Sequence, residues 1–167
     1  MTPADIVVTR WGARFMGRRF ACAVGRSGIV HAKDKREADG ATPAGTHRIV
    51  GLLFRPDRLT RPARQAVAIG PGDLWSDDPA DPDYNQLVKA PHANGHEPLR
   101  RADPLYDLVL LTDWNWPLAE PGKGSAIFVH TWRAPRAPTA GCVAFSRTDL
   151  IWIARRISLG TRLVIRL

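Results

Sequence analysis

Cysteine is scarce in this chain: among 167 residues only Cys22 and Cys142 occur, which excludes a disulfide framework and any CxxC redox or zinc-knuckle spacing. Each cysteine is left to packing or to reactivity. Long apolar runs are also missing. None approaches the roughly 18 residues of a membrane-spanning helix, so no membrane insertion is expected. The first twenty residues, MTPADIVVTRWGARFMGRRF, lack a charged start followed by an unbroken apolar stretch and do not read as a secretory signal. As encoded, the chain reads as cytoplasmic, or as periplasmic if the true start lies upstream. No phosphate loop, GxSxG or GxGxxG occurs, which removes the commonest nucleotide and serine-hydrolase signatures.

Acidic residues are outnumbered, 16 against 24 lysines and arginines, for a net charge of +8. Such an excess suits a solvated basic surface or an anionic substrate or polymer. The basic residues are scattered in ones and twos, such as Arg18 with Arg19 and Arg155 with Arg156, so nucleic acid is not the expected partner. A metal is not expected either. His92 and His96 have the i, i+4 spacing of helical ligands, but Pro91 and the NGHEP segment break any helix there. Asp77, Asp78, Asp81 and Asp83 lack the glycine and distal glutamate of a calcium loop and read as loop-solvating carboxylates.

What is present is the pattern of one mainly β domain over residues 1–167, long enough to bury its own core. DIVVTRW, RRFACAVG and GIVHAK read as short strands, and Cys22 lies on the apolar face of the second. The Gly-Pro-rich DGATPAGTHRIVGLLF leads into another strand. Residues 71–98, dense in Pro, Gly, Asp and Asn, read as a long ordered loop over one face. LYDLVLLTDW and SAIFVH are buried-strand candidates. One helix is predicted after Cys142, with Ser146 as N-cap, Asp149 as its acidic partner, an apolar face from Leu150 to Ile157 and Gly160 as its close; TRLVIRL then alternates as a last strand.

The chemistry concentrates in HTWRAPRAPTAGCVAFSRTDL, residues 130–150. Cys142 follows a glycine in a tight turn four residues before the helix cap, where oriented backbone amides favour a thiolate and a developing oxyanion. His130 ends a strand, and twelve residues separate it from Cys142; Pro135 and Pro138 stiffen the return. A histidine that removes a thiol proton is the minimum apparatus for acyl transfer. The alternative is two buried residues that are merely near in sequence. Trp114, Asn115, Trp132 and Arg133 flank the pair as candidate substrate contacts, with core or loop packing as the competing reading.

SAIFVHTW with PTAGCVAFSRTDL resembles the L,D-transpeptidase catalytic domain (YkuD type), which carries an upstream histidine and a Ser/Thr-x-Gly-Cys turn running into a helix. DGATPAGTHRIV looks like that family's Thr-Pro-x-Gly strand, and LWSDDPADPDYNQLV with LYDLVLLTDWN is similar to a branch of small single-domain members. The resemblance spans roughly residues 5 to 167. It implies a β-sandwich or mixed sheet, Cys142 as nucleophile and His130 as base. It further implies that the Thr131 carbonyl orients the imidazole and that amides around Gly141 and Cys142 form an oxyanion hole. The implied reaction attacks the bond between a diamino acid's L-centre and D-alanine in a peptidoglycan stem peptide or muropeptide, with no metal or organic cofactor. This chain departs from the pattern at Ala140, where many members have histidine, and in a shorter His–Cys separation. The missing export signal leaves an L,D-carboxypeptidase, with water as acceptor, as an alternative. A non-catalytic basic binding module is the alternative of another class. Oligomeric state has no signature.

Overall fold

The computed structural model describes residues 2–167. The chain forms β1 (Ile6–Thr9), β2 (Gly12–Phe15), β3 (Arg18–Phe20), β4 (Ile29–Val30), β5 (Thr42–Pro43), β6 (Gly45–Phe54) and β7 (Ala66–Ala68). It continues through β8 (Asp73–Ser76), β9 (Leu87–Lys89), β10 (His96–Pro98), β11 (Leu108–Thr112), β12 (Val129–Thr131), β13 (Val143–Phe145), α1 (Arg147–Ala154) and β14 (Arg162–Ile165). It is mainly β with one α-helix, as the sequence pattern predicts.

Nine strands make one mixed sheet in the order β13-β12-β11-β6-β14-β1-β2-β3, with β7 also on β6. Strand β6 is the spine: its first half pairs with β14 and its second half with β11 and β7. The sheet nearly closes on itself, because Ala23, just beyond β3, bridges Ala144 of β13 at the opposite end of the order. That closure protects edges that would otherwise be open to strand addition.

Both faces of the central strands are covered, so they read as continuous apolar runs and not as alternating ones. On one side Leu108 and Leu110 of β11, Val129, Val143 and Phe145 meet Leu150 and Ile153 of α1. On the other, Val109, Leu53, Phe128 and Cys142 meet Trp75, Leu99 and Tyr106. This second, smaller core holds the candidate site.

Its cover is residues 71–98, and here the structure corrects the expected loop: β10-β8-β9 form a separate three-stranded antiparallel sheet. The strands are three or four residues long, too short to show periodicity among the turn residues. The acidic cluster is also more than surface. Asp81 is buried and accepts from the Ser76 hydroxyl (2.5 Å), the Asp83 amide (2.9 Å) and His92 Nε2 (2.6 Å). A flap with little core of its own is pinned by this carboxylate and by the Trp75 indole, which donates to Asn85 at 3.0 Å.

The helix starts as predicted, with Ser146 Oγ accepting from the Asp149 amide at 3.1 Å. It ends sooner, at Ala154, with Arg155 as C-cap. Gly160 does not close it: the Gly160 amide donates to Ile49 of β6 at 2.8 Å, which places that glycine in the turn into β14. Ile157 is buried beyond the helix end.

Candidate active site

Strands β12 and β13 are parallel, with His130 opposite Ala144 and Val129 opposite Val143. Just ahead of them, the Val143 amide donates to the Phe128 carbonyl at 2.9 Å, which sets Cys142 abreast of Phe128. Side chains alternate along a strand, so Phe128, His130 and Cys142 share the face under the flap. Cys142 and His130 are diagonal neighbours one strand and two residues apart, about 8 Å between backbones from ordinary strand spacings.

Shared face does not mean shared hydrogen bond. The Cys142 thiol donates to the Ala126 carbonyl at 3.0 Å and accepts from the Phe128 amide at 3.4 Å. Ala126 lies in the left-handed region, φ 49°, a kink in the approach to β12. His130 Nδ1 is 2.8 Å from the Thr131 carbonyl. A carbonyl only accepts, so Nδ1 carries the proton and Nε2 keeps its lone pair.

Burial sets the charge state. The Cys142 thiol is pushed up to about 12 by desolvation, with the negative charge of Glu97 adding to the effect and the Phe128 amide opposing it. Desolvation pulls His130 down to about 4 against the bond to Thr131. Near neutral pH the pair is therefore thiol and neutral imidazole.

The turn that carries Cys142 is braced by two hydroxyls. The Thr139 hydroxyl donates to the Cys142 carbonyl at 2.6 Å and accepts from the Gly141 amide at 3.1 Å. The Thr42 hydroxyl donates to the Gly141 carbonyl at 2.7 Å while accepting from the Gly25 amide at 2.8 Å. Gly141 itself has φ +147°, and a Cβ there would stand 2.9 Å from the Ala41 carbonyl oxygen, so no other residue fits. The Gly141 amide is thus committed, whereas the Cys142 amide donates to no acceptor among the described residues.

Cys142 opens into a cavity of about 170 Å³, and Lys35, Glu37, Asp77, Glu97, Tyr106 and Ala140 contribute to its wall. Tyr106 sets its ring edge-on to His130, centroids 5.2 Å apart, and its hydroxyl donates to Glu97 at 3.0 Å. Burial first, then the charges of Asp77 and Glu37, push the Glu97 carboxyl up to about 7. Lys35, almost fully buried, donates to Asp39 at 2.8 Å.

The four flanking candidates lie elsewhere: none lines this cavity. Trp114 is buried against His47, ring centroids 5.7 Å apart. Asn115 ties its own loop together through Glu120 and Gly124. Trp132 donates its amide to Phe145, and Arg133 is exposed on the return. Thr42, Tyr106 and Glu97 were not singled out from the sequence. Thr42 alone had a signal, the Thr-Pro-x-Gly segment. Among the described residues no group of three or more His, Cys, Asp or Glu is arranged to hold a metal, and no helix is long and apolar enough to cross a membrane.

Fold and site together define a class: a nearly closed β-domain with a thiol and an imidazole on one face of its sheet, the thiol opening into a covered cavity. The chain matches the family model of the L,D-transpeptidase catalytic domain (YkuD) over residues 7–165 and belongs to that family, whose members act on peptidoglycan peptides. No curated protein and no solved structure matches it.

Proposed function

We propose that the protein is a cysteine acyltransferase that attacks the bond between the L-centre of a diamino acid and D-alanine in peptidoglycan stem peptides, through a thioacyl-enzyme on Cys142. The observation that carries this reading is the common face of Cys142 and His130, with Nδ1 fixed on Thr131 so that Nε2 is the free base.

Because thiol and imidazole are both neutral at rest, proton transfer accompanies attack. The thiol leaves the Ala126 carbonyl, His130 Nε2 takes its proton, and sulfur bonds to the substrate carbonyl carbon. The Cys142 amide, which has no acceptor among the described residues, donates to the oxyanion. As the C–N bond breaks, His130 returns the proton to the departing D-alanine nitrogen. An acceptor then repeats the sequence in reverse and releases Cys142.

Incubation with disaccharide-tetrapeptide, with and without an amine, and mass analysis of the products tests the proposal. D-alanine release by the wild type and its loss in Cys142→Ala are expected; His130→Ala should fall by about a hundredfold or more. A cross-linked dimer indicates transfer and a tripeptide alone indicates hydrolysis. Unchanged substrate with folded wild-type protein overturns the reading.

A further inference from the structure

Transfer to an amine asks more of a site than transfer to water. Attacking water loses one proton as the tetrahedral centre forms, and the departing thiolate takes one back, so a single base such as His130 suffices. A primary amine of ordinary basicity arrives as an ammonium ion. It has to lose one proton to expose its lone pair and a second as the C–N bond forms, and the thiolate takes only one of them. Such an acceptor needs a second base in the cavity.

Glu97 stands in that cavity with Cys142. One of its oxygens accepts from Tyr106, whose ring packs on His130. Among the described residues it has no ion-pair partner: Arg101, whose charge acts on it, is bound to Asp103 at 2.7 Å, and Lys35 is bound to Asp39 at 2.8 Å. The groups facing Glu97 are therefore Tyr106, Asp77, Glu37 and the paired Arg101, with Cys142 and Lys35 on the same cavity wall. Ala140, before the Gly141-Cys142 turn, lines the cavity with no proton-accepting side chain.

We infer that Glu97 is the proton acceptor for an ammonium-bearing acyl acceptor, so that this cavity is built for transfer to a primary amine; the inference rests on the acyl-transfer reading above. Ionised Glu97 takes one proton from R–NH3⁺, leaving R–NH2 and a neutral carboxyl. The amine nitrogen bonds to the thioacyl carbon, His130 takes the second proton, and that proton passes to Cys142 sulfur as the C–S bond breaks. Glu97 then gives its proton to water. Thioester and ammonium become amide, thiol and one released proton. With its carboxyl raised to about 7, Glu97 is ionised above neutrality and matched to proton exchange there.

The test compares two acceptors on the full chain with a disaccharide-tetrapeptide donor: Nα-acetyl-lysine, an ammonium ion at pH 7, and hydroxylamine, which is neutral there. In the wild type the ratio of amide to hydrolysed tripeptide should rise with pH through about 7. Glu97→Gln should lower that ratio by about tenfold or more at pH 7 and remove the inflection near 7, leaving only the rise set by the free-amine fraction, with a much smaller defect toward hydroxylamine. Tyr106→Phe removes a hydrogen bond that lowers the Glu97 pKa, so its rise should move to higher pH. That shift decides the matter should E97Q lose hydroxamate formation as well. An E97Q protein with the wild-type ratio and pH profile, or an unmoved profile in Y106F, overturns the inference while leaving acyl transfer intact. A wild type that forms no hydroxamate fails the acyl-transfer reading and this inference with it.

Discussion

At the scale of single residues, the thiol's position depends on a hydroxyl far from it in sequence. Thr42 is fully buried, and its Oγ serves the Gly25 amide and the Gly141 carbonyl at once. Thr42→Val keeps the shape but leaves both backbone groups unpaired. Each such group costs about 1–3 kcal/mol, so urea unfolding should show a loss of about 2–4 kcal/mol, with D-alanine release falling more than stability alone explains. A loss below about 0.5 kcal/mol would place the brace elsewhere. The closeness of His130 and Cys142 in the fold was legible in the sequence because a strand end and a Gly-Cys turn lie within one short segment. Thr42, Glu97 and Tyr106 were not, since tertiary pairing brings them in from other strands and loops. Trp114 and Asn115 were candidates through nearness in sequence to SAIFVH; in the fold their side chains pack in the core and tie their own loop.

At the scale of elements, the flap over the cavity hangs on a carboxylate. Asp81 is held well below the ordinary carboxylate range, first by the Ser76 hydroxyl and also by the Asp83 amide and His92. A depressed folded-state pKa contributes stability that is present above the unfolded value near 3.8 and is lost as pH falls through the folded value. The flap should therefore be intact at pH 5 and loosen progressively below about pH 4. The Trp75 indole N–H, bound to Asn85 within the flap, reports this by NMR: its exchange with water should quicken at low pH before the main sheet opens. Asp81→Asn should loosen the flap at pH 5 and flatten the response. A Trp75 signal lost only together with those of β6 would show that the flap has no separate transition. The flap was also the least legible element. Its strands of three or four residues sit between Pro, Gly and Asp, where turn chemistry hides an alternating pattern. The long strand β6 and the capped start of α1 were read correctly, because a ten-residue run and a Ser-x-x-Asp cap are local signals.

At the scale of the whole molecule, charge is separated in a way that composition alone does not show. The chain carries +8, yet Glu37, Asp77 and Glu97 converge on the cavity at Cys142, none of them ion-paired among the described residues. Positive charge gathers instead on the outer face, where Arg14, Arg19, Arg136 and Arg166 line a groove beside the exposed Trp11. On the proposed function, the outer charge would draw an anionic peptidoglycan polymer while the reacting peptide meets the covered acidic cavity, so salt should act on the two differently. Exposed charges are screened over about 10 Å at 0.1 M salt. Raising NaCl from about 50 to 500 mM should therefore raise KM for whole sacculi by roughly tenfold and leave kcat within about twofold. The soluble disaccharide-tetrapeptide, which carries far less charge than the polymer, should show a much smaller rise in KM. Arg19→Ser combined with Arg166→Ser should lower the salt response for sacculi without changing turnover of the short substrate. Equal salt sensitivity for both substrates would mean that the outer groove takes no part in capture and that the excess charge is solvated surface.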